Sequence, residues 1–146
     1  MATFFQDLAL ALFSGETFRP QSFTSTGAGL TVDVSTCGNN LLNAKLEIGA
    51  VNTLTSIIVK IQASKDDSNW DDISGAVFTT VTAANATEVI SFQLPTATSA
   101  SADPYKYVRA YATLTGTSVL MHCAILGLKR MPNPTAGNLY APPTIN

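Results

Sequence analysis

Apolar and polar side chains alternate at every second position along most of this chain from residue 30 onward. The stretches that share this pattern lie at residues 30–34, 42–50, 57–63, 90–94, 108–114 and 119–125. Within residues 57–63 Ile58 is the one exception, because it places an isoleucine on an otherwise polar side. Successive side chains of a β-strand point to opposite faces, so this pattern is typical of strands that bury one face. The alternation therefore predicts an all-β fold.

Turn-forming residues separate the alternating stretches. Asp, Ser and Asn fill positions 66–69 before Trp70, and a Thr-Gly-Thr sequence at 115–117 predicts a hairpin between two long stretches. Two short runs, at 70–73 and 76–82, bring the expected number of strands to about eight. This spacing predicts an antiparallel, jelly-roll-like β-sandwich. The last stretch is apolar on both faces, which predicts a central strand or one buried against another subunit.

The low charge of the chain limits its function classes. Only 12% of the 146 residues are charged and 46% are hydrophobic, so a chain disordered throughout is not expected and one compact domain is. The net charge is −2 and the eight cations are scattered, which excludes electrostatically driven nucleic-acid binding. No apolar run reaches the ~20 residues of a membrane span. No basic residue precedes Arg19, so we expect no secretory signal and synthesis in the cytoplasm of the producing cell.

Both ends of the chain differ from its alternating middle. Residues 3–13 are apolar nearly all round and could form a short helix. A helix this short is marginal in water, so the segment must dock on another surface. That surface is either the chain's own sandwich, where the segment could instead form an edge strand, or a neighbouring subunit. The segment after Arg130 holds four prolines and no charged side chain, which predicts a disordered tail or an extended arm across a partner. We therefore divide the chain into an N-terminal arm (1–21), a sandwich domain (22–131) and a Pro-rich C-terminal arm (132–146).

The candidate partner-contacting residues are apolar or aromatic side chains of the arms and of one strand. They are Phe4, Phe5, Leu8, Leu12, Tyr107, Tyr111, Leu139 and Tyr140. Tyr107 and Tyr111 share a predicted strand face with Tyr105. Two interpretations stay open for this face and for Trp70, the only tryptophan. They form a platform for sugar rings, or Trp70 closes the end of the sandwich and the tyrosines lie at a subunit contact.

No arrangement of residues predicts catalysis. His122 is the only histidine, and its neighbour Cys123 points to the opposite strand face, so the two cannot form a nucleophile–base pair. We expect His122 to be a structural or interface residue. Cys37 and Cys123 match no zinc or redox motif, and they are either two buried side chains or a cross-sheet disulfide.

No phosphate, metal or cofactor site is predicted either. The acidic residues at 66, 67, 71 and 72 fail the EF-hand pattern, which needs glycine at the sixth position and glutamate at the twelfth. A solvated turn is the first interpretation of this cluster, and a looser calcium site is the alternative. Gly27-Ala28-Gly29 lacks the strand and helix that flank a phosphate loop. We therefore expect no enzyme, no cofactor, no metal and no small-molecule substrate.

Four stretches carry a resemblance to a known family. In order, they are a strand with an acidic turn and Trp at 57–73, a second strand at 75–81, Tyr-Lys-Tyr-Val-Arg-Ala at 105–110, and the strand at 118–129. This order resembles small β-sandwich proteins encoded among the head genes of tailed bacteriophages, the capsid decoration (cement) proteins. The resemblance covers roughly residues 22–131.

The resemblance implies a non-enzymatic virion protein on the capsid exterior. Such a protein binds the major capsid protein across adjacent capsomers and associates with itself, with a homotrimer favoured. The alternative from a different class is a carbohydrate- or receptor-binding β-sandwich module of a phage tail. A calcium-dependent adhesion domain is a third, weaker interpretation.

Overall fold

The computed structural model describes residues 12–95 and 103–129 of the chain. In order, the strands are β1 (Leu12–Phe23), β2 (Gly27–Ala28), β3 (Val32–Asp33), β4 (Cys37–Ser64), β5 (Trp70–Val77), β6 (Ala86–Gln93) and β7 (Tyr107–Lys129). All strand pairs are antiparallel. The predicted all-β, antiparallel fold is confirmed. No helix in the described ranges is long and apolar enough to cross a membrane.

Two long strands, β4 and β7, organise the sheet. They pair with each other from Cys37 opposite Lys129 to Ser64 opposite Tyr107. β6 and β5 add to successive halves of β4, while β1 and the short β2 and β3 add to successive halves of β7. The predicted central position of the last strand is confirmed, because β7 lies between β1 and β4. The sheet folds over and nearly closes into a barrel.

The hairpin predicted at residues 115–117 is wrong. β7 continues through this segment without reversing, and Gly116 (φ 142°) pairs with Leu54 of β4. The pairing of β4 with β7 shifts register on both sides of residues 51–54. Such irregularities bend a strand. We therefore interpret residues 115–117 as part of the bend at which both long strands pass from one half of the folded-over sheet to the other.

The expected number of strands also changes. Residues 42–50 and 57–63 belong to one strand, β4, rather than to two. Residues 70–73 and the first part of 76–82 likewise form one strand, β5, in which Gly75 has a φ of +78°. Glycine adopts this conformation without steric cost, so the strand continues where the sequence predicts a break.

The alternating apolar residues meet in one core between the two halves of the sheet. Its members from the two long strands are Cys37, Leu42, Ala44, Leu46, Ile48, Ile57, Val59, Ile61, Ala63, Val108, Ala110, Ala112, Val119, Met121, Cys123 and Ile125. Leu30 differs from its predicted inward position, because it lies between β2 and β3 and is 49% exposed. Burial of one strand face against the other half of the sheet supplies the main stabilisation.

The N-terminal boundary of the sheet lies earlier in the chain than the sequence predicts. Residues 12–21, which we assigned to the N-terminal arm, belong to β1 and pair with β7. The strand is hard to recognise in the sequence because its pairing shifts register on both sides of Phe18 and because it contains Pro20. Proline is tolerated at edge strands and bulges, and β1 is such an edge.

Several predicted contact residues lie outside the described part of the chain. They are Phe4, Phe5, Leu8, Leu139 and Tyr140, together with the rest of residues 1–11 and 130–146. Leu12 begins β1 opposite Leu128 of β7. The two ends of the described chain therefore lie side by side on neighbouring strands.

Candidate interaction surface

One outer face of the sheet combines aromatic and charged side chains. We call it the aromatic face. It is formed by alternate residues of β4, β5 and β7, namely Lys60, Gln62, Trp70, Asp72, Tyr107, Arg109 and Tyr111. The strand register places Arg109 opposite Gln62 and Tyr111 opposite Lys60. The same register places Ser64 between Tyr107 and Trp70. Tyr107 and Tyr111 are half-buried and lie on the outer side, as their alternation with Val108 predicts.

Arg109 stacks on Trp70 at the centre of this face. The guanidinium carbon lies 4.1 Å from the centre of the indole ring, within the range of a cation–π contact. Its Nε donates a hydrogen bond of 2.9 Å to Oε1 of Gln62. Burial lowers the pKa of Arg109 from its ordinary value, and the charge of Asp67 acts in the opposite direction. Arg109 is therefore held in one orientation from two sides.

Gln62 links Arg109 to an ion pair on its other side. Its Nε2 donates to Oδ1 of Asp72 at 2.8 Å, and Nζ of Lys60 donates to Oδ2 of the same carboxylate at 2.6 Å. Hydrogen bonds from Lys60 and then from Gln62 lower the pKa of Asp72. Nζ of Lys60 also lies 5.4 Å from the ring centre of Tyr111. The polar side chains of this face thus form one connected network.

A structured turn between β4 and β5 fixes the position of Trp70. The carboxylate of Asp66 accepts hydrogen bonds from the backbone N–H groups of Ser68 and Asn69, from Nδ2 of Asn69 and from Oγ of Ser64. These bonds, led by those from Asn69, lower the pKa of Asp66 far below its usual range. Asp67 adopts a positive φ of 60° within the turn. The predicted solvated turn is therefore observed at this position.

We expect stability to fall in acid because of this turn. A carboxylate whose pKa is lowered by folding stabilises the protein above its ordinary pKa of about 4, and that stabilisation is lost as the pH falls toward the folded pKa. The variant Asp66→Asn should be less stable at pH 6 and should lose less stability than the wild type between pH 5 and 2. Urea unfolding midpoints across this pH range measure the difference. An unchanged acid slope in the variant contradicts the prediction.

The other acidic residues of this region have separate partners. Asp67 accepts from Thr31, and Asp71 accepts from the hydroxyl of Tyr105 at 2.8 Å. That bond raises the pKa of Tyr105. Tyr105 precedes β7 instead of lying within it. In the described residues no three His, Cys, Asp or Glu side chains are grouped closely enough to hold a metal ion, which gives the looser calcium site no support.

His122 lies on the outer side of the other half of the sheet, between two carboxylates. Its Nδ1 is 3.0 Å from Oε2 of Glu47 on β4, and its Nε2 is 3.3 Å from Oε1 of Glu16 on β1. Hydrogen bonds from Lys45 and then His122 lower the pKa of Glu47. His122 therefore links three neighbouring strands, as expected of a structural residue.

The two cysteines are free and buried. Burial raises the pKa of Cys123 to about 12 and also raises that of Cys37. Cys37 pairs with Lys129, six residues beyond Cys123 along β7, so a disulfide between them would need a large rearrangement. The first interpretation, two buried side chains, is confirmed and the disulfide alternative is wrong.

A cavity of about 360 Å³ opens beside the connection between β5 and β6. It is lined by residues 79–88 and by Leu46 and Ile48 of the core. Glu88 closes one side, because its carboxylate accepts hydrogen bonds from the backbone N–H and the hydroxyl of Thr79. Its lining consists mostly of small and threonine side chains, and its one carboxylate is already bound.

The polar half of the aromatic face is not predicted from the sequence. Tyr107 and Tyr111 are predicted contact residues, whereas Arg109 and Gln62 are not, and Asp72 is predicted only as part of the acidic cluster. The available signal was the alternation itself, which places Arg109 between the two tyrosines on one strand face. The partners from β4 and β5 lie 47 and 39 residues away in the sequence, so only the fold brings them to Arg109.

No protein-family model and no curated protein matches the chain. Among solved structures, the SPBc2 prophage-derived protein YomS is similar over 81% of this chain and 93% of its own, with 14% identity and a TM-score of 0.52. Two plant-virus structures have lower TM-scores. The cowpea mosaic virus top component matches 86% of this chain and 88% of its own, with 11% identity and a TM-score of 0.41. The broad bean stain virus structure matches 84% of this chain and 94% of its own, with 9% identity and a TM-score of 0.45. Likeness at the level of YomS establishes a shared fold alone.

Proposed function

We propose that this chain is a non-enzymatic structural protein of a bacteriophage virion, which associates with itself and binds the capsid exterior across adjacent capsomers. The observation that carries the proposal is the pairing of Leu12 with Leu128. Residues 1–11 and 130–146 contain only two charged side chains, Asp7 and Arg130, and the strand ends to which they are joined in the sequence lie side by side. Two apolar segments that begin together can hold a neighbouring subunit between them.

Exposed leucines beside this exit point support a contact there. Leu41 and Leu128 each lie next to the paired residues Leu42 and Gly127, and they are 51% and 55% exposed. Single exposed apolar residues are common on protein surfaces, but these two lie at the end of the sheet where the described chain begins and ends. We infer that this end of the sheet contacts a partner, with Phe4, Phe5, Leu8, Leu12, Leu139 and Tyr140 as contributing side chains.

The mechanism we propose is stabilisation by selective binding. A protein that binds the assembled capsid but not its free subunits stabilises the assembly in proportion to the logarithm of its concentration over its Kd. The folded-over sheet supplies a rigid body, and a surface with few charges suits broad contact with a neighbour. The fold is shared with one prophage-derived protein. The phage setting, the trimer and the cement role are our proposal.

Truncation tests this proposal. Removing residues 1–11 leaves β1 intact, so the shortened chain should still fold, with the circular dichroism spectrum of the full chain. We expect it to sediment as a monomer and to bind capsids of its phage at least tenfold more weakly than the full chain. The same result is expected after removal of residues 132–146. If both shortened chains assemble and bind capsids as the full chain does, the arms have no role and the proposal is wrong.

The second candidate is a carbohydrate- or receptor-binding tail module, which the half-exposed Tyr107 and Tyr111 favour. A sugar ring would stack on an aromatic face, but one face of the Trp70 indole is already covered by Arg109. Saturable quenching of tryptophan fluorescence by a neutral polysaccharide would support this candidate over the structural one. We rank it second because these side chains lie on the outer side of the sheet, whereas small-molecule sites are usually clefts or cavities.

A further inference from the structure

Arg109 is the only charged member of its network that forms no ion pair within the described residues, although the more distant charge of Asp67 acts on it. Neither terminal nitrogen of its guanidinium has a hydrogen-bond acceptor or an ion-pair partner there, while Lys60 pairs with Asp72. Gln62 lies between Arg109 and Asp72 and keeps them apart, since its amide oxygen faces Arg109 and its amide nitrogen faces the carboxylate. A partly buried guanidinium without a carboxylate paired to it is costly, so Arg109 is a candidate to bind one from outside the chain.

We propose that the free edge of Arg109 binds a carboxylate of a partner protein, with Tyr107 and Tyr111 in contact on either side. This inference rests on the proposed function, because it identifies the chemistry of one partner contact. The stacking on Trp70 and the Nε bond to Gln62 do not use the two terminal nitrogens, and the planar guanidinium can hold a carboxylate through such a pair with two hydrogen bonds.

The composition of the face favours a protein over a polyanion. Three cations at positions 60, 65 and 109 are accompanied by four carboxylates at 66, 67, 71 and 72, so the region has no positive excess to attract a nucleic acid or a sulfated polysaccharide. Trp, Tyr and Arg are the residue types that dominate binding energy at protein interfaces. Arg109 is ordered before binding, which reduces the entropy lost on association.

Trp70 provides a direct measurement, because it is the only tryptophan and its ring contacts the guanidinium of Arg109. The full chain is titrated with glutarate and, in parallel, with the neutral glutaramide at matched ionic strength. We expect a saturable change in tryptophan fluorescence at millimolar glutarate and none with glutaramide. Equal responses to both compounds, or no saturation with glutarate, would overturn the proposal.

Three variants locate the site. Arg109→Gln should abolish the response, and Arg109→Lys should weaken it about tenfold because lysine cannot hold a carboxylate with two fixed bonds. Melting temperatures of both Arg109 variants, measured beside the titration, separate loss of the site from misfolding. Arg19→Gln, at an exposed position on β1, is the matched control and should respond as the wild type does.

A final comparison identifies the source of the carboxylate. We expect a short peptide with one glutamate between leucine and phenylalanine to bind at least tenfold more tightly than digalacturonate. The opposite order would overturn the protein partner in favour of an acidic saccharide. Self-association of the full chain is measured separately by sedimentation. If the full chain assembles but does not respond to glutarate, this inference alone is refuted. If the full chain responds to glutarate but sediments as a monomer, the proposed self-association alone is refuted.

Discussion

Replacing Ile57 by alanine should lower the free energy of unfolding by about 3 to 4 kcal/mol. Ile57 is completely buried at the bend of β4, opposite Leu114 and beside Val81. Its backbone exchanges two hydrogen bonds with Val81, which the substitution leaves in place. The loss therefore comes from removed apolar contacts and from the cavity left among side chains that cannot close around it.

The neighbouring isoleucine is the control for this change. Ile58 lies on the outer side of the same strand and is 39% exposed. Ile58→Ala should therefore cost less than about 1 kcal/mol, although residue type and sequence position are nearly identical. Urea unfolding followed by circular dichroism measures both free energies. Equal losses for the two variants would mean that the strand faces are assigned wrongly.

Gly29→Ala should destabilise the protein by about 3 kcal/mol. A Cβ atom at this position would lie 2.5 Å from both the backbone oxygen and the Oγ1 of Thr17. Neither atom can retreat, because the Thr17 oxygen accepts from the N–H of Leu30 and its hydroxyl accepts from the N–H of Ala110. Gly29 itself donates to the Ala110 oxygen, so this contact holds β1 against the other half of the sheet.

Gly27 tests whether the effect is specific to position 29. A Cβ at Gly27 meets no atom within 4 Å, and both glycines belong to the same short sequence. Gly27→Ala should be neutral or should stabilise by up to about 1 kcal/mol through the reduced freedom of the unfolded chain. Thermal melting of the two variants decides the matter: the expected order is Gly29→Ala well below the wild type and Gly27→Ala at or above it. Similar melting temperatures for both variants would show that the close approach to Thr17 is not needed.

The sequence predicts which side chains are buried better than it predicts where strands end. Ile57 and Ile58 are distinguished correctly by alternation, since a period of two follows from the backbone of any strand. The strand break at Gly116 is predicted wrongly, because a Thr-Gly-Thr sequence serves a bend within a long strand as well as a reversal between two strands. Only the partner strand, β4, decides between these outcomes, and its paired residues lie more than 50 positions away.

For the aromatic face, too, the sequence and the tertiary structure determine different features. The alternation within β7 determines that Tyr107, Arg109 and Tyr111 share one outer face. The tertiary structure alone decides that Trp70 covers one side of Arg109 and that Gln62 separates it from Asp72. Spacing within one strand is a local property fixed by the chain itself, whereas contacts between strands depend on register, and register is chosen by the burial of the whole core.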